Sequence, residues 1–132
     1  MTRFYIFFLL FISCHQDKEF GLIINIFPED AGSTSQVNSF YFEGDEIILL
    51  AIPNEFYEFE RWSGDYETNN SEIRFIITDN FSITANFKLL DSDKDGVVDK
   101  EDQCLDTEIG TKVNSVGCSD EDFDYDNDGI IN

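Results

Sequence analysis

Between Asp91 and Asp102 the chain sets carboxylates at positions 1, 3, 5, 9 and 12 of a twelve-residue stretch, with Gly96 at position 6 and Val97 at position 7. Alternate residues of a tight loop can turn their oxygens toward a common centre, and a hard cation such as calcium collects six to eight oxygens at about 2.3–2.6 Å. Gly96 permits the sharp turn, and Val97 can lend its backbone carbonyl. The pattern therefore asks for an irregular loop closed on an ion. Without a cation these carboxylates repel one another, so the loop is expected to be loose in calcium-free solution. An acidic, solvated linker is the plain alternative, but random acidic runs seldom alternate Asp, Gly and apolar residues at these intervals. The stretch offers no sulfur or imidazole, which argues against zinc and copper.

With 132 residues the chain has room for one ordinary domain, or a small domain with appendages. A formal net charge of −20 argues against nucleic acid as a direct partner, because phosphate contacts need basic surface. Residues 91–132 hold 14 of the 28 acids, whereas residues 20–88 hold 13 of the 20 aromatics. That division predicts a folded core at 20–88 beside an acidic, ion-dependent tail at 89–132.

Ahead of the core, Phe4 to Ile12 are uninterrupted apolar, with Arg3 before them and Ser13-Cys14 after. Nine such residues are too few for a bilayer-spanning helix, which needs about 20, so a cleaved secretory signal over 1–13 is expected. A small residue directly before a cysteine at the end of that run resembles the lipobox of bacterial lipoproteins. The resemblance implies cleavage before Cys14 and acylation of its sulfur and new amino group, hence a membrane anchor in the cell envelope, at the outer membrane. Residues 14–19 would then be a polar tether, with His15 a solvated spacer residue. Gln16-Asp17-Lys18-Glu19 resembles the charged tags that follow the lipid cysteine in some bacterial surface lipoproteins, which implies outward display.

From Phe20 to Lys88, turn and strand signals come at short, regular spacing, and no segment sustains a helical period. Strands are expected at Phe20–Phe27, at Ser33–Val37 as a short edge, and at Glu46–Ile52, which is apolar on both faces as in a central strand. Glu72–Thr78 and Phe81–Phe87, separated by Asp79-Asn80, read as a hairpin. The last strand alternates, with Phe81, Ile83, Ala85 and Phe87 on one face. Tyr57 and Phe59 share a face while Trp62 falls out of step, which predicts a bulge or bend before Ser63-Gly64-Asp65. The fold class expected is mainly β: a small all-β module filled by bulky aromatics, followed by an irregular calcium-loop tail.

This stretch resembles the divergent InlB-type B-repeat of bacterial surface proteins. The matching residues are Pro28-Glu29-Asp30-Ala31-Gly32, Gly44-Asp45-Glu46, Ala51-Ile52-Pro53, Tyr57-Glu58-Phe59, Trp62-Ser63-Gly64-Asp65 and Ile83-Thr84-Ala85-Asn86-Phe87. The resemblance implies a compact β module, β-grasp-like in some members, with no catalytic residues and with Trp62 packed inside. Tyr41, Tyr57, Trp62 and Tyr66 would be the aromatics of a sugar-stacking platform if the module bound glycans. Core packing and ordinary surface tyrosines are the favoured reading in a domain this small.

The tail from Asp91 to Cys104, with Thr107, Gly110, Val113 and Gly117-Cys118 beyond it, resembles the thrombospondin type 3 repeat of bacterial envelope proteins. By that resemblance Asp91, Asp93, Asp95, Asp99 and Asp102 would be calcium ligands, with Val97 through its carbonyl. An EF-hand would need flanking helices and usually a Glu at position 12, and a dockerin an apolar helix after the loop; neither is present in the sequence. Three cysteines leave one unpaired if Cys104 and Cys118 bond to each other, and Cys14 is the odd one. In an oxidising compartment that disulfide is favoured over a metal-thiolate pair lacking a nearby histidine. A second ladder begins at Asp124, Asp126 and Asp128, with Gly129 at its position 6, and reaches only position 9 at Asn132. Either the array continues or the last site is incomplete; Asp120 and Asp122 would otherwise serve the first ion or bridge the two.

The function expected is that of a calcium-binding structural or adhesion-type envelope lipoprotein. In it, Ca²⁺ orders the Asp-rich loop as a spacer beside the β module. A glycan- or protein-binding module displayed on the surface is the alternative. The sequence pairs no nucleophile with a base and has no phosphate loop, which argues against an enzyme.

Overall fold

A computed structural model describes residues 18–119. The signal segment, Cys14 and the ladder at Asp124, Asp126 and Asp128 lie outside the described residues. Seven strands are present: β1 (Glu19–Phe27), β2 (Gly32–Thr34), β3 (Ser39–Phe42), β4 (Glu46–Pro53), β5 (Tyr57–Gly64), β6 (Glu72–Ile76) and β7 (Phe81–Leu89), with no helix among the described residues. They form a four-stranded sheet in the order β3-β1-β7-β5 and a three-stranded sheet in the order β2-β4-β6. Every pairing is antiparallel except β1 with β7, which run parallel at the centre of the larger sheet. The molecule is thus mainly β, as the sequence predicts.

Side chains from both sheets meet in one core. Leu22, Leu49, Trp62, Ile77 and Ile83 are its largest fully buried members. The alternation of β7 is realised: Ile83, Ala85 and Phe87 are buried and Phe81 packs against the cluster. The register of β5 against β7 slips between Phe59 and Arg61, and this bulge turns Trp62 inward. There the indole packs against Phe59 at 5.6 Å between ring centroids, and Phe59 meets Phe87 edge to face at 5.9 Å. The indole N–H donates to the Ser71 carbonyl at 3.2 Å, so its polar end is satisfied.

Three expectations are corrected. Asp79-Asn80 does not close a hairpin, because β6 pairs with β4 in one sheet and β7 with β1 and β5 in the other. Fully buried Ile77 anchors the chain as it crosses between sheets, and the Asn80 side chain accepts from Gly21 N–H at 2.8 Å beside β1. The central strand β4 is apolar on both faces but buries only one. Ile47, Leu49 and Ala51 enter the core, while Ile48, Leu50 and Ile52 lie on the exposed side of the smaller sheet. The predicted edge at Ser33–Val37 is confined to Gly32–Thr34, and β3 was not anticipated.

On the surface, Lys88 lies directly across the β5–β7 register from Glu58, at 3.0 Å. The hydrogen bond and negative charge of Glu58 raise the lysine's pKa above its ordinary value. Both side chains are exposed, so the pair adds little to stability.

Candidate metal site

The acidic loop begins where β7 ends. Leu90 N–H donates to the Phe56 carbonyl at 2.8 Å, and Asp99 N–H returns to the Leu90 carbonyl at 2.8 Å, so the loop is tied to the β module at its base. Gly96 has φ +98°, the left-handed conformation that its position in the ladder called for.

Each carboxylate of the ladder is held by backbone N–H groups. Asp91 accepts from Lys94 (2.8 Å) and Gly96 (3.3 Å), Asp93 from Asp95 (3.3 Å) and Thr107 (2.8 Å), and Asp95 from Val97 (2.7 Å). With these bonds in place, one oxygen from each of Asp91, Asp93 and Asp95 lies within 4.8 Å of the others, in a half-buried setting. Asp95 Oδ2 is buried and has no hydrogen-bond partner. A buried, unpartnered carboxylate oxygen is costly, and a cation is the species that would satisfy it.

Asp99 and Asp102 are not among the three carboxylates so grouped. Asp99 takes the N–H and hydroxyl of Ser92, both at 2.7 Å. Asp102 Oδ1 accepts from Cys104 N–H at 2.7 Å, while Oδ2 is the second buried oxygen without a partner. Val97 is half-buried. The structure thus gathers three of the expected ligands and leaves two held by neighbouring residues.

Beyond the loop, Cys104 and Cys118 form a disulfide with Cα atoms 5.1 Å apart. The ring it closes is organised by Asn114, whose side-chain carbonyl accepts from Val116 (2.9 Å) and Cys118 (3.2 Å). Gly117, at φ +78°, presses against Asp102, and a Cβ there would collide with the carboxylate. Gly117→Ala should therefore both strain the backbone and push Asp102 out of place, with a cost of more than about 1 kcal/mol at such a position. A thermal melt of the tail in calcium, followed by amide exchange, should show the loss; an unchanged melt would mean that the contact yields freely.

The aromatic platform suggested by the sequence is not assembled. Trp62 is fully buried, and Tyr41, Tyr57 and Tyr66 pack against the core. Among the described residues the exposed aromatics are instead Phe27, Phe40, Phe42 and Phe56. Phe40 flanks a groove of about 620 Å³ across β3, β1 and β7, with Gly21 and Ile23 beside it and Asp65 and Asn80 among its polar lining groups.

Sequence reasoning did not assign a role to Thr107 or Ser92, although each holds a ladder carboxylate. Ser92 lies seven residues from its partner and Thr107 fourteen, so neither bond leaves a short-range pattern.

A family model for the divergent InlB B-repeat domain matches residues 23–90. That domain is a structural repeat and not an enzyme family, of a kind that suggests a surface or adhesion-type module. Comparison with curated proteins finds no match, and comparison with solved structures finds none.

Proposed function

This chain belongs to the divergent InlB B-repeat family, and on that premise we propose that it is a surface structural module followed by a spacer that calcium makes rigid. The observation that supports the spacer is the half-buried cluster of Asp91, Asp93 and Asp95, with Asp95 Oδ2 buried and unpartnered. On this reading Asp91, Asp93 and Asp95 hold the ion. Val97 through its carbonyl, Asp99 and Asp102 complete the set of loop residues available to it. The ion supplies positive charge that offsets clustered carboxylates and lets an anionic segment keep one shape. Extracellular sites of this kind bind at about 10⁻⁴–10⁻³ M, which suits a structural role outside the cell. Cys14 would carry the lipid that tethers the module to the outer membrane, and Asp124, Asp126 and Asp128 would begin a second site.

Trypsin provides the test, because Lys94 and Lys100 are exposed within the loop and Lys112 within the disulfide ring. Cleavage at Lys94 and Lys100 should slow at least about tenfold when calcium replaces chelator, as expected if a local opening must precede it. Equal cleavage in both buffers would refute the spacer.

A second reading, a glycan- or protein-binding module, is favoured by the Phe40 groove and not by the tyrosines. Phe40→Ser should then abolish whatever capture the wild-type chain shows while leaving the β fold intact. Capture that survives the substitution would exclude the groove.

A further inference from the structure

Two of the ladder carboxylates take hydrogen bonds from outside the loop, and both donors belong to the segment closed by the disulfide. Thr107 N–H donates to Asp93 Oδ2 at 2.8 Å across fourteen residues. Cys104 N–H donates to Asp102 Oδ1 at 2.7 Å. The other donors to the ladder carboxylates among the described residues are Ser92, Lys94, Asp95, Gly96 and Val97, all within the loop itself.

Thr107 is itself held in place. It is one of two buried polar residues among those described, at 6% exposure. Its hydroxyl lies 3.0 Å from the Cys104 carbonyl and 2.8 Å from the Gly117 carbonyl, so it spans the two ends of the ring. Cys104 and Cys118 join those ends covalently.

We propose that Thr107 is a positioning residue for the cation loop, and that the Cys104–Cys118 disulfide acts on calcium affinity through it. The inference rests on the calcium reading above. Asp93 is the middle member of the three clustered carboxylates, and a free aspartate would lose rotamer freedom on binding a cation. An N–H that already fixes its rotamer removes that loss in advance. A carboxylate has about four lone-pair sites, so accepting from Thr107 leaves Asp93 free to face a cation. Partners that orient metal ligands typically alter affinity 10–100-fold when removed. The ring is thus part of the site even though neither sulfur touches the ion.

Calorimetric titration of the full chain with calcium, combined with Asp93→Asn, tests this. Thr107→Val and the Cys104→Ser/Cys118→Ser pair should each weaken binding about tenfold. Thr107→Ser, which keeps the hydroxyl, should bind near the wild-type level. With Asp93→Asn already present, Thr107→Val should cost little more, because it acts through that carboxylate. Unchanged Trp62 fluorescence verifies that the β module is folded in each variant. A Thr107→Val chain that binds as wild type overturns the inference alone, as does a loss undiminished in the Asp93→Asn background. A wild-type chain that takes up no calcium overturns both the inference and the reading beneath it.

Discussion

Replacing Trp62 with alanine is expected to lower the stability of the β module by about 3–5 kcal/mol, the cost of emptying a large aromatic site in a packed core. Small domains have about 5–15 kcal/mol in total, so the variant should be near the edge of folding. The size of the effect follows from where the bulge puts the ring. Trp62 is fully buried, it contacts Phe59, and Phe59 in turn meets Phe87 from the neighbouring strand. Trp62→Phe should cost less, since it keeps most of the apolar volume and loses the bond to Ser71, a residue at the exposed rim. Urea unfolding followed by circular dichroism measures both. A Trp62→Ala midpoint close to wild type would show that the two sheets are not locked together by this side chain.

The second large effect is expected at Asp95, and its sign depends on the buffer. Asp95→Asn keeps an oxygen to accept from Val97 N–H but removes the charge next to Asp91 and Asp93. In calcium the variant should bind more than about tenfold more weakly, which carries a site of 10⁻⁴–10⁻³ M beyond millimolar concentrations. In chelator the tail should be no less stable than wild type, because a buried carboxylate oxygen without a partner has been replaced by a neutral group. Amide exchange in the two buffers separates these outcomes. A substitution that destabilises the tail equally in both would make Asp95 a structural hydrogen-bond acceptor only.

Much of the β module was legible from local pattern. The alternation of Phe81, Ile83, Ala85 and Phe87 gave the face of β7, and the displaced phase of Trp62 gave the bulge, because a two-residue period leaves one choice of face once a neighbour is placed. The pairing of strands was less legible. Asp79-Asn80 has hairpin composition, yet Ile77 carries the chain into the other sheet, a choice made by partners far along the chain. The strand β3 escaped notice because Phe40 and Phe42 point outward, so its exposed face is as apolar as a core face. For the same reason Ile48, Leu50 and Ile52 suggested a strand covered on both sides.

The site divides similarly. The spacing of Asp91, Asp93, Asp95 and Gly96 is a local signature, and the structure assembles that part. Cysteine parity singled out Cys104 and Cys118, which are bonded. The holds that Ser92 places on Asp99 and Thr107 on Asp93 depend on how the loop folds back, and single residue types at those distances carry no signal.

The central claim is that the clustered aspartates hold one calcium ion, and calcium calorimetry of wild type beside a chain with Asp91, Asp93 and Asp95 all changed to Asn addresses it most directly. The account predicts a saturable component at about 10⁻⁴–10⁻³ M in the wild type that is missing from the triple variant. Identical isotherms for the two chains would contradict it.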